Sequence, residues 1–133
     1  MLTKKTRLGI FLSAVLIVLL PGCYKTVTVT QSTGTEVTTP VSFKADLIPI
    51  FNKSCNMSGC HSAGGQVPDL TPPNAYRSIF EEDLVDINDP EGSEIMGWLT
   101  GQIKPAMPLG AQTNPSNINN LMLAWIKQGA KNN

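Results

Sequence analysis

CNMSGCH, residues 55–61, holds two of the chain's three cysteines and sets its only histidine directly after the second. Three chemistries use such a cluster: a covalently attached haem, a metal site, or a disulfide. The spacing trims the choice without closing it. Two cysteines and one histidine are three ligands, where a structural zinc is held by four. A redox pair of the thioredoxin kind needs C-x-x-C beside a βαβ pattern, and neither is present. A disulfide between Cys55 and Cys60, with His61 a surface residue, fits these seven residues by themselves.

A c-type haem is held when two thiols add across the porphyrin vinyl groups and the histidine after the second cysteine ligates the iron. The usual motif is C-x-x-C-H. Here it is C-x-x-x-x-C-H, with the Cys60–His61 neighbours intact and two extra residues between the cysteines. The small Ser58 and the unrestricted Gly59 let those residues bulge outward.

Upstream, Lys4, Lys5 and Arg7 precede an apolar run of thirteen residues, Leu8 to Leu20, that ends in LLPGC. The run is too short to span a bilayer and reads as an export signal. Leu20, Gly22 and Cys23 fit a lipobox, which predicts cleavage after Gly22 and acylation of Cys23. Its alternatives are a plain signal peptide or a short uncleaved anchor. Lipidation of Cys23 leaves Cys55 and Cys60 as a pair. Residues 1–22 are thus expected to be a lipoprotein signal peptide, 23–41 the lipidated cysteine and a Thr/Val-rich tether, and 42–133 the folded domain. TVTVT within residues 24–41 suits an extended tether or a short edge strand. Fully stretched at about 3.3–3.6 Å per residue, that segment reaches roughly 60 Å from a membrane.

The whole chain balances 10 basic against 10 acidic residues. Removing Lys4, Lys5 and Arg7 leaves seven against ten, a net charge of −3. There is no basic run, so nucleic acid is excluded as an expected partner.

Beyond residue 41 the pattern is helical, with polar, Gly- and Pro-rich connections. Ser42 suits the N-cap of a helix over Phe43–Asn52, which Pro49 is expected to kink or restart. Shorter helices are expected near Asn74–Phe80 and Pro90–Thr100. Ile118, Leu121, Met122, Trp125 and Ile126 recur at helical spacing, after Ser116 as cap and before Gly129 as terminator. The expected class is all-α: about four helices with long loops. So small a domain has little apolar surface to bury, which favours a cofactor at its centre.

A haem iron in an electron-transfer site takes a second axial ligand, and a methionine thioether is a common one when no second histidine is available. Met57 lies inside the cysteine motif, Met96 and Met122 at core spacings. Met107 lies between Pro105 and Pro108 in a loop without periodicity, and is the preferred candidate; its alternative is a loop residue covering the core.

Read in order, an N-terminal helix, Cys…Cys-His, Gly…Pro-x-Leu, a Met-Pro loop and a final Trp-containing helix resemble a class I monohaem cytochrome c. The resemblance runs from about Phe43 to Ala130. Pro49-Ile50-Phe51 before the cysteines and Trp125-Ile126-Lys127-Gln128-Gly129-Ala130 at the end are similar to strings in cytochrome-type lipoproteins. It implies a cytochrome c-like fold around one haem c, thioethers at Cys55 and Cys60, His61 as proximal and Met107 as distal iron ligand. It implies that the Pro68 carbonyl accepts the imidazole N–H and that Leu70 packs on the haem. It also implies that the first and last helices cross, bringing Phe43, Leu47 and Phe51 near Leu121 and Trp125. The expected role is electron transfer rather than catalysis, in the bacterial cell envelope, with other redox proteins as partners and the membrane reached through the lipid. The alternatives are a five-coordinate haem that binds small ligands, and a haem-free, disulfide-closed lipoprotein acting as an interaction module. No carboxylate pair or Ser/His/Asp arrangement suggests a hydrolytic centre.

Overall fold

Ser42 starts the first helical stretch as its sequence position demands. Its Oγ accepts the Ala45 N–H at 3.0 Å, while its own N–H donates to the Asp46 carboxylate at 2.7 Å. Each side chain thereby serves a backbone group that a helix start leaves unpaired. The computed structural model describes residues 36–110 and 117–133. The expected export signal, Cys23, the expected tether up to residue 35 and the expected cap Ser116 lie outside the described residues.

Phe43–Leu47 is a π-helical turn that runs into α1, Ile48–Ser54, with Pro49 in the first turn of α1. The Ile48 N–H reaches back to the Phe43 carbonyl, five residues earlier. A proline ring would press on the carbonyl four residues before it, and a widened turn relieves that pressure. The expected restart at Pro49 is therefore a π turn followed by a new helix. Then come α2, Ala75–Glu81; α3, Glu94–Thr100; and α4, Ile118–Lys127. The helix expected from Pro90 begins four residues later, at Glu94. The Oγ of Ser93 accepts the Asp86 N–H at 2.9 Å and donates to the carbonyls of Asp86 and Asp89, so it holds the 86–93 loop closed. Among the described residues there are four α-helices and no strand, and the fold is all-α.

The core forms where the π turn and α1 meet α2 and α4. Phe43 stands 5.0 Å from Trp125 and 5.3 Å from Tyr76, centroid to centroid, and 6.0 Å from Phe51. Phe80 completes the group against Tyr76 and Trp125. Tilted and edge-on rings at these separations gain quadrupole attraction beyond the area they bury. Leu47, Ile79, Ile118, Met122 and Ile126 are fully buried around them, and Met96 of α3 is buried as well. The core placement of Met96 and Met122 agrees with their helical spacing.

α4 is capped by Gln128, and Gly129 and Ala130, at φ +90° and +47°, reverse the chain. The tail then lies across the start of the fold. Asn133 accepts three bonds there: Lys44 N–H at 2.8 Å and Ser42 Oγ–H at 2.9 Å on its carbonyl, and Phe43 N–H at 2.8 Å on its side-chain oxygen. Trp125 Nε1–H and Tyr76 O–H fix the tail from inside through the carbonyls of Lys131 and Ala130, at 2.8 and 3.1 Å. On the other side, Gln128 accepts from Val41 N–H and donates to the Thr39 carbonyl, at 2.8 and 3.0 Å. Val37 and Val41 pack on the core there, so residues 37–41 of the expected tether lie against the domain.

Candidate functional site

The cysteine segment begins where α1 stops. Cys55 is its C-cap, and the Phe51 carbonyl accepts both the Cys55 and Asn56 N–H groups at 2.9 Å. The extra residues of the longer motif do not form a loose bulge. Cys60 N–H returns to the Met57 carbonyl at 2.9 Å, closing a tight turn whose Gly59 has φ +81°. His61 N–H then returns to the Cys55 carbonyl at 3.1 Å. Two nested bonds thus absorb the added length and set His61 back beside the end of α1.

The next nine residues wrap around the histidine. Gln66 N–H bonds the Cys60 carbonyl at 2.7 Å, and Leu70 N–H the His61 carbonyl at 2.8 Å. Gly65 sits so close to the Cys60 carbonyl that a Cβ there would overlap it. The imidazole Nδ1 lies 3.0 Å from the Pro68 carbonyl. A carbonyl only accepts, so Nδ1 carries a proton, which in the neutral ring leaves the lone pair on Nε2. Nε2 is therefore the ring nitrogen able to bind a metal, in the orientation that a carbonyl partner fixes for histidine ligands.

Both Cys55 and Cys60 are free thiols. Cys60 is exposed and Cys55 half-buried at the core edge. Burial pushes the Cys55 thiol up to about 11, with the neighbouring Cys60 adding to the rise. Leu70 is buried against the core. The structure thus brings Cys55, Cys60, His61, Pro68 and Leu70 into one unit.

Met107 is placed by a different element. After α3, Gly101 takes φ +75° and the chain doubles back, with Ile103 N–H on the Gly97 carbonyl at 3.0 Å and Met107 N–H on the Trp98 carbonyl at 2.9 Å. A Cβ on Gly97 would stand 2.6 Å from the end of the Ile103 side chain, so glycine is what lets this loop lie on the helix. Met107 is half-buried on that loop.

The residues fit a covalently held haem in donor chemistry. The imidazole is held through Nδ1, two free thiols lie on the same segment, and Met57 and Val67 there are more than half exposed. Leu109, two residues after Met107, is exposed as well. Exposed apolar side chains thus occur on both the cysteine–histidine segment and the Met107 loop. No cluster of three or more His, Cys, Asp or Glu side chains suited to a metal ion occurs among the described residues.

Residues that the sequence reading passed over hold the wrap in place. The Asp69 carboxylate accepts the Thr71 N–H at 2.9 Å and hydroxyl at 2.6 Å, and Asn74 Nδ2–H at 2.9 Å. These bonds, the Thr71 hydroxyl foremost, hold its carboxyl below the usual range. Asp69 N–H donates to Ser78 Oγ at 2.8 Å. Asn56 Nδ2 spans from Asn52 Oδ1 at 2.7 Å to the Leu70 carbonyl at 3.4 Å, tying α1 to the far end of the wrap. The D-x-T order of residues 69–71 is a local turn signal that points to the first of these contacts; Ser78 and Asn56 carry none.

No known protein family, characterised protein or solved structure matches this chain.

Proposed function

We propose that the chain is a single-haem electron carrier of the c type, with a cytochrome c-like fold, held at a bacterial membrane by lipid on Cys23. The observation that carries the reading is the bond from His61 Nδ1–H to the Pro68 carbonyl, beside two free thiols. Cys55 and Cys60 would hold the haem by thioethers, His61 Nε2 would bind the iron, and Met107 would supply the distal sulfur. Bound there, the haem supplies a one-electron couple between ferric and ferrous iron.

The chain's own residues do the rest. Pro68 keeps the imidazole in one tautomer and one orientation, and the hydrogen bond makes the ring a stronger donor. Leu70 gives the site an apolar floor. A methionine opposite the histidine raises the potential above that of a bis-histidine site, and two protein ligands leave no open position for a substrate. This favours transfer over catalysis. The net charge of −3 expected once residues 1–22 are removed gives little long-range steering, and a membrane tether narrows the search for redox partners in the envelope instead.

The test is a pyridine haemochrome spectrum of denatured protein expressed with a periplasmic haem-attachment system. A spectrum of two thioether links supports the reading; one link assigns a single attached cysteine. Absence of haem while a control cytochrome matures in the same cells overturns it. Met107→Ala then reads the distal ligand: loss of the sulfur-to-iron charge-transfer band is expected, and an unchanged spectrum removes Met107 from that role.

A further inference from the structure

The orientation of His61 depends on one peptide group. The C=O of Pro68 and the N–H of Asp69 belong to the same plane, and a planar trans peptide points them in opposite directions. The C=O end holds His61 Nδ1 at 3.0 Å, and the N–H end is held by Ser78 Oγ at 2.8 Å. Ser78 lies on α2 and is buried, at 8% exposure. A serine inside a helix usually turns its hydroxyl back onto its own helix. This one serves a loop nine residues earlier.

Neighbouring bonds restrict the same run. Leu70 uses its N–H on the His61 carbonyl, and the Asp69 carboxylate locks Thr71 and Asn74 at the entry to α2. Little is left to turn about except the Pro68–Asp69 peptide itself, and its free end rests on Ser78. We infer that Ser78 is a positioning residue for the proximal imidazole, acting from α2 through the Asp69–Pro68 peptide. The inference rests on the reading of His61 as an iron ligand, but its first test does not.

Ser78→Ala removes one oxygen and nothing else. Alanine is the better helix former, which offsets part of the lost hydrogen bond, so a modest fall in Tm is expected. In full-length mature protein, NMR of the His61 Nδ1–H reads the ring directly, with or without haem. Exchange of that proton should be about three- to tenfold faster in Ser78→Ala, the range set by one hydrogen bond of ordinary strength. In haem-bearing protein the midpoint potential should also rise, because a looser Nδ1–H bond makes the ring a weaker donor to iron. Ser78→Thr keeps the oxygen and should behave like the parent on both readouts. Tyr76→Phe removes a hydrogen bond made by the same helix to Ala130, away from Pro68, and should move neither.

The inference fails if Ser78→Ala leaves the proton's exchange unchanged, if Ser78→Thr shifts it as alanine does, or if Tyr76→Phe shifts it equally. A haem-free parent in the haemochrome assay sinks the electron-carrier reading alone, since the exchange experiment still decides the role of Ser78.

Discussion

The Cys55 thiol should be a slow nucleophile in the folded, haem-free chain, by an amount that its burial sets. Burial, with Cys60 adding to it, raises it from an ordinary 9.0 to about 11. At pH 8 the thiolate fraction then falls from about one in ten to about one in a thousand, a hundredfold loss of the reactive form. Part of this returns, because a more basic thiolate is intrinsically more reactive, with a Brønsted slope of about 0.4–0.5. Two units of basicity restore about eightfold, leaving Cys55 roughly tenfold slower than an unfolded thiol before any steric shielding. The assay is iodoacetamide alkylation under reducing conditions, followed by mass spectrometry. It uses residues 24–133 carrying Cys60→Ser, made in the cytoplasm without haem attachment, in buffer and in denaturing urea. Because Cys60 adds to the rise, the serine variant keeps only the larger cause, burial, and should be slowed by somewhat less than that tenfold. The fold is checked by far-ultraviolet circular dichroism. A folded chain alkylated as fast as the urea-unfolded one would refute the placement of Cys55 at the core edge. The same shift gives a stability slope. Below the ordinary thiol value both states are protonated and Cys55 costs nothing. As pH rises from about 9 to about 11, the unfolded chain loses a proton that the folded chain keeps, so the haem-free fold weakens across that window.

Three further outcomes follow from the contacts. Asn133→Ala removes the acceptor of Phe43 N–H but leaves the Asn133 carbonyl, so a loss of about 1 kcal/mol is expected. For a domain of this size that lowers Tm by roughly 4–8 °C in a thermal melt, and an unchanged Tm would dismiss the tail as a cap. Gly97→Ala gains up to about 1 kcal/mol in helix propensity but drives a Cβ into Ile103, an overpacking that costs about 1–3 kcal/mol. Net destabilisation is expected, relieved in the double variant with Ile103→Ala; a Gly97→Ala protein that melts higher than the parent would contradict the close approach. Asp69 is held below the ordinary carboxylate value, chiefly by the Thr71 hydroxyl, so its contribution is present above the unfolded value near 3.8 and lost as pH falls through the lower folded one. Asp69→Asn should flatten that part of an acid denaturation curve, and an identical curve would show the carboxylate to be idle.

Periodicity made α4 legible because its buried residues recur on one face and packing agrees with propensity. The start at Ser42 was equally readable, since a cap is a local device. Pro49 marked a break, but the π turn that resolves it depends on fitting Phe43 and Leu47 into one core, which no local pattern encodes. The start of α3 was misplaced because Pro90 looked like a first helical residue while Ser93 closes the loop before it. At the candidate site, adjacent residue types marked Cys55, Cys60 and His61, and the Pro68 contact was expected only through resemblance. Ser78 stayed hidden because a buried serine in a helix carries no signal of which distant N–H it serves.

The seam between Asn133 and residues 42–44 also bears on the order in which the chain is made. The N–H groups of Phe43 and Lys44 are among the first of the domain to leave a ribosome, and their acceptor is residue 133. A chain that emerges from its amino end can draw this seam only after ninety further residues have followed. Until residue 133 is present the start of the domain stays unlatched, so this seam is the last part of the domain that synthesis can complete.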